Sequence, residues 1–180
     1  GSEMCIRDRD EKYGGGTSTG RKPGFFHMGG QSGPIGFPEQ LDTPYTYETL
    51  APKGLAVGSG AIVVLDDSVC IVEYIQKVFE FFVHESCGKC TPCRLGTTRI
   101  PVSYTHLTDF VEGRAKDGDV ERLEYMARQV SQLSACGLGQ SVNVALMSAL
   151  RHRRGDFEAH INGGACPAGA CACHENGRNK

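Results

Sequence analysis

The stretch HESCGKCTPCRLG, residues 84–96, sets Cys87, Cys90 and Cys93 at a strict interval of three. Thiolates at that interval on a looping backbone can face one centre, with amide N–H groups turned toward the sulfurs. A cubane [4Fe–4S] cluster takes four thiolates, and three local ligands plus one remote cysteine is a common way to supply them. Gly88 permits close approach of the backbone, and Pro92 stiffens the turn before the third thiol. Zinc is the main rival, although structural zinc sites usually draw on two separated pairs of ligands.

A fourth thiolate has to come from elsewhere in the chain. Cys136, in ACGLG at a helix end, is the best candidate, because glycines there allow close packing on a cofactor. Cys70 lies among apolar neighbours and reads as a small core residue. Lys89 and Arg94 flank the triplet. Cations there would offset the negative charge of a thiolate-ligated cluster, or they serve only solvation and packing. A further group near the end, Cys166, Cys171, Cys173 and His174, is a candidate second site for zinc or for the start of another cluster. Its structural alternative is an unfinished stump.

Bulk composition narrows the function class. The 180 residues carry 19 basic and 21 acidic side chains, a net charge of −2, and no basic face that would mark a nucleic-acid partner. The nine cysteines are odd in number and clustered, and the charged first ten residues hold no apolar central region of a secretory leader. That pattern favours metal binding in a reducing compartment over a disulfide scaffold. The longest apolar run, Gly54 to Leu65, falls well short of the roughly 20 residues that span a bilayer. A cytoplasmic protein, at most peripheral to a membrane complex and without membrane insertion, is expected.

Along the chain, glycine-rich turns in the first third leave FFHM (25–28) as a strand, and AIVVL (61–65) reads as a second, buried one. Asp66, Asp67 and Ser68 suit a helix start, and Val72, Ile75, Val78, Phe79 and Phe82 then recur at intervals of three and four. Val120, Leu123, Met126, Ala127, Val130 and Leu133 form the stripe of a helix over 119–135. Another helix is expected over 142–154, closed by Gly155. Arg151, Arg153 and Arg154 suit its last turn. MCIRDR (4–9) and PVSYTHL (101–107) fit neither pattern and read as non-native insertions.

ESCGKCTPCRLGT, the CGLG that places Cys136 43 residues beyond Cys93, and FEAHI together resemble the flavoprotein subunit of NADH:quinone oxidoreductase. Related subunits of NAD(P)-linked hydrogenases and formate dehydrogenases share the likeness. HMGGQSG, LDTPYTYETL and GSGAIVVLDDSVCIVEY extend it from about Gly20 to Cys171. The resemblance implies an α+β chain in four stretches. Residues 1–33 would be a β-grasp-like remnant and 34–65 a connector with one buried strand. Residues 66–161 would be a helical bundle carrying one [4Fe–4S] cluster on Cys87, Cys90, Cys93 and Cys136, and 162–180 a disordered Cys-rich tail.

In such proteins hydride passes from NAD(P)H to FMN, and the cluster relays single electrons to partner iron–sulfur subunits. The flavin- and nucleotide-binding domain has no counterpart here, since YGGGTSTG (13–20) is not followed by a helix. A C-terminal fragment is therefore expected, with no catalytic residue of its own and with FMN and NAD(P)H bound elsewhere in the full-length subunit. A zinc-stabilised helical interaction module is the alternative.

Overall fold

The structure is a computed structural model that describes residues 4–102 and 107–171. The chain divides into two compact units, residues 1–69 and 70–180. It is of mixed α+β class, with a small antiparallel sheet in the first unit and helices in the second.

In the first unit, β1 (Pro23–Met28) lies between β2 (Ile35–Gly36) and β3 (Ile62–Asp66). Both pairings are antiparallel, with Phe26 opposite Gly36 and Val64. β1 contains the expected FFHM strand and is buried on both faces. Phe26 and Met28 point into a core with Ile6, Leu41, Leu50 and Leu55, while Phe25 and His27 are buried on the other side. Short helix α1 (Tyr47–Leu50) supplies Leu50 and is capped by the Thr46 hydroxyl, which accepts from the Thr49 N–H.

Three expectations shift here. The boundary expected at residue 33 lies inside the sheet, because β1 cannot satisfy its backbone without β2 and β3. The second strand is not buried: as an edge strand, β3 leaves Val63 half exposed. Asp66 does not start a helix, since its carboxylate accepts hydrogen bonds from the Ser68 hydroxyl and backbone N–H and from the Thr19 hydroxyl. Those donors, the Ser68 hydroxyl first, hold its carboxyl down at about 2. Ile6, within MCIRDR, is fully buried in the first core.

The second unit is helical. α2 (Ile71–Glu85) buries Val72, Ile75, Val78, Phe79 and Phe82, the stripe expected from the sequence, together with Ile71, and packs against α3 (Thr91–Val102), α4 (Leu107–Val111) and α7 (Val144–Glu158). α5 (Asp119–Leu133) packs on α3, α6 (Gly137–Gln140) and α7.

α3 begins ahead of Arg94, beyond which the sequence should continue into a helix, although Pro101 and the stripeless PVSYTHL count against one there. Its buried positions, Cys93, Gly96, Thr97 and Ile100, do follow helical spacing, but three of the four are small or polar and give no hydrophobic stripe. α7 runs past the expected stop at Gly155. The backbone leaves helical geometry at Arg153, and the next turn carries Phe157 onto Phe110, with ring centroids 6.2 Å apart. Burial of that aromatic pair outweighs the weak propensity of Gly155. Residues 159–171, which follow α7, are held in place: Asn162 N–H donates to the Ala115 carbonyl at 2.8 Å, and Cys166 and Cys171 are buried. No helix among the described residues is long and apolar enough to cross a membrane.

Candidate metal centres

α2 ends at Glu85, and Ser86 turns extended to lead into the cysteine loop. Gly88 takes a left-handed φ of 74°, available to glycine at no steric cost, and its carbonyl accepts from the Arg94 guanidinium at 3.4 Å. Pro92 then sits in the first turn of α3, where its missing N–H costs nothing. The Arg94 N–H closes that turn on the Cys90 carbonyl. Cys90 thus lies just before the helix and Cys93 inside its first turn.

The distant cysteine arrives by way of the α5–α6 turn. Cys136 is the extended residue immediately before α6, and the Gln140 N–H donates to its carbonyl. Two observations put this turn on the start of α3. A Cβ at Gly139 would lie 3.2 Å from the Cβ of Cys93 and only 2.5 Å from that of Ser134, so no larger residue fits there. The Cys90 sulfur also accepts the backbone N–H of Ala135, and then that of Cys93, which together favour its thiolate and lower its pKa. Ser134 lies beside it, but its one hydroxyl hydrogen is committed to the Val130 carbonyl at 2.6 Å. The Cys93 sulfur lies 3.4 Å from the Ser86 hydroxyl. Cys93 is buried, Cys90 half-buried, and Cys87 and Cys136 are exposed; none is in a disulfide. Lys89 is exposed and Arg94 serves the loop carbonyl.

A second group lies elsewhere in the same unit. Cys70, His160, Cys166 and Cys171 are all buried, and their ligand atoms lie within 4.8 Å of one another. His160 Nε2 is 3.5 Å from the Cys70 sulfur and 3.3 Å from that of Cys171. Burial pushes the Cys70 thiol up to about 12. Burial also opposes charge on Cys166, but the N–H groups of Cys171 and Ala170 outweigh it and hold that thiol below its ordinary range.

Cys166 and Cys171 belong to the tail group singled out from sequence, while Cys173 and His174 lie outside the described residues. Cys70 is buried, as its reading as a core residue implied, but it is buried against three other ligand side chains. His160 is a member that sequence reasoning missed. The signal available was the spacing His160, Cys166, Cys171, with a lone cysteine just ahead of the long helix α2.

Among the described residues the ligand side chains brought together are Cys70, His160, Cys166 and Cys171, a set that marks the second unit as able to hold a metal, while Cys87, Cys90, Cys93 and Cys136 are not grouped in this way. Residues 73–160 match the family described as the NADH-ubiquinone oxidoreductase-F iron-sulfur binding region. The F subunit of the NADH-quinone oxidoreductase of Mycobacterium tuberculosis is 36% identical over 155 residues, covering 86% of this chain and 34% of the relative. The NADP-reducing hydrogenase subunit HndC of Solidesulfovibrio fructosivorans is 34% identical over 168 residues, covering 93% and 34%. A crystal structure of an NAD+-reducing [NiFe]-hydrogenase in the H2-reduced state superimposes with a TM-score of 0.73 at 28% identity, over 88% of this chain and 26% of the other. The chain is similar to NADH-quinone oxidoreductase F subunits and their hydrogenase relatives, and its residues 73–160 match their iron–sulfur binding region. It spans about a third of the length of the curated relatives it matches.

Proposed function

We propose that Cys87, Cys90, Cys93 and Cys136 hold one [4Fe–4S] cluster that relays electrons from FMN to a partner iron–sulfur subunit in an NAD(P)H-oxidising complex. In this reading the first unit is the end of a β-grasp-like domain, and FMN and NAD(P)H belong to a part of the full-length subunit other than this one. The observation that carries the reading is the approach of Gly139, three residues beyond Cys136, to Cys93, where a Cβ on the glycine would lie 3.2 Å from that of the cysteine. It ties the fourth cysteine's turn to the triplet.

The donor set fits the group. The four cysteines are free of disulfides, a glycine lies where the remote turn meets Cys93, and the family match covers all four positions. When bound, the cluster supplies a one-electron couple. The chain's own share is to hold the thiolates and aim N–H groups at them. Donors to ligand sulfur stabilise the extra negative charge of reduction and so raise the potential. Exposed Cys87 and Cys136 put the site at the surface of its unit, where an electron partner can come close.

The test is anaerobic reconstitution of the chain. About four iron and four sulfide per chain are expected, with a paramagnetic signal after reduction. Cys136→Ala should lose the cubane, while Cys5→Ala, on the first unit, should keep it. Full iron in Cys136→Ala would sink the ligand assignment. About one zinc and no iron at the triplet would favour a zinc-stabilised interaction module.

A further inference from the structure

We propose that Cys70, His160, Cys166 and Cys171 form a second, structural metal site that binds a single zinc ion. The group falls across the edges of the matched iron–sulfur region: Cys70 precedes residue 73, and Cys166 and Cys171 follow residue 160. It is separate from the triplet in sequence and in ligand type.

Size and donor type choose the ion. Zinc with sulfur at about 2.3 Å and nitrogen at about 2.0 Å in a tetrahedron has ligand–ligand edges of about 3.5 to 3.8 Å. The His160 Nε2 distances, 3.5 and 3.3 Å, match that edge, and no pair in the group exceeds 4.8 Å. A cubane would hold its ligand sulfurs roughly 6 Å apart, so it does not fit this spacing. Three thiolates and one imidazole are a common structural zinc set, and burial of all four leaves no open position for a reacting water.

The hydrogen bonding around the group suits a bound metal. His160 Nδ1 lies 2.6 Å from the Asp156 carbonyl, so that nitrogen carries the hydrogen and Nε2 presents its lone pair to the centre. The turn between the two tail cysteines is closed by the Gly169 N–H on the Cys166 carbonyl at 3.0 Å. An apolar core would have no use for a fully buried imidazole facing two thiols, because an unpaired polar group there is costly. With zinc in place, the segment 160–171 is fastened to the residue that leads into α2. The ion, having no redox chemistry, takes no part in electron transfer.

The experiment is metal analysis of the whole chain, purified anaerobically and dialysed against a mild chelator. About one zinc per chain is expected beside the iron. Cys171→Ala should lose more than four-fifths of that zinc and keep its iron. His160→Cys should keep the zinc, and cobalt in its place should give the visible bands of a tetrahedral thiolate site, shifted from those of the parent. Less than one zinc per ten parent chains overturns the proposal. So does undiminished zinc in Cys171→Ala, or a Cys70–Cys166 disulfide in the anaerobic protein. Because the triplet is read by iron and this site by zinc, failure of one leaves the other standing.

Discussion

His27 shows how one buried side chain ties stability to pH. Burial drives its pKa down, only partly opposed by the hydrogen bond between Nε2 and the Gly33 carbonyl at 3.0 Å. The unfolded chain therefore binds a proton at about pH 6.5 that the folded chain takes up only at lower pH. Stability is full above that pH and falls as pH drops below it. Urea unfolding at pH 7.5 and pH 5.5 should show a lower midpoint at the acid pH, and His27→Gln should flatten the difference. An unchanged slope in the variant would remove His27 as the cause. At this scale the cysteine triplet was legible, because its spacing is local. Cys70 and His160 were not, since 90 residues separate them and only the packing of α7 against α2 brings them together.

Between elements, the closest fit is where α3 crosses α5. A Cβ at Gly96 would meet the Cγ2 of Val130 at 2.0 Å, so the two helices approach as near as they do only because position 96 has no side chain. Gly96→Ala should cost about 1 to 3 kcal/mol through overpacking, despite its better helix propensity. Gly96→Ala with Val130→Ala should recover part of the loss, which chemical denaturation of both variants would measure. The stripes of α2 and α5 were readable because their buried positions are large and apolar. The face of α3 was not readable because its buried positions are Cys93, Gly96, Thr97 and Ile100. The length of α7 escaped for a different reason, since Phe110 of α4 lies far from it in sequence.

For the molecule as a whole, the division at residue 69 separates two kinds of support. The first unit rests on an apolar core around Phe26, whereas both candidate metal centres lie in the second. Removing metal should therefore weaken one unit and spare the other, because binding free energy is available only to the part that binds. Limited proteolysis after chelation should cut within residues 70–171 well before it cuts within 23–66; simultaneous loss of both would contradict this. Mixed α+β class was legible from the alternation of glycine-rich turns with helical stripes. The position of the division was not, because pairing of β1 with β3 across 33 intervening residues depends on tertiary contact.

One corner of the second unit has a further consequence. The Arg154 guanidinium faces Glu121, Glu124 and Glu158 at once, and Glu124 is shared with Arg128. Two cations thus serve three anions. If Arg154 were replaced by a neutral residue, the remaining carboxylates would repel one another across α5 and α7, and added electrolyte would then strengthen the junction by screening that repulsion.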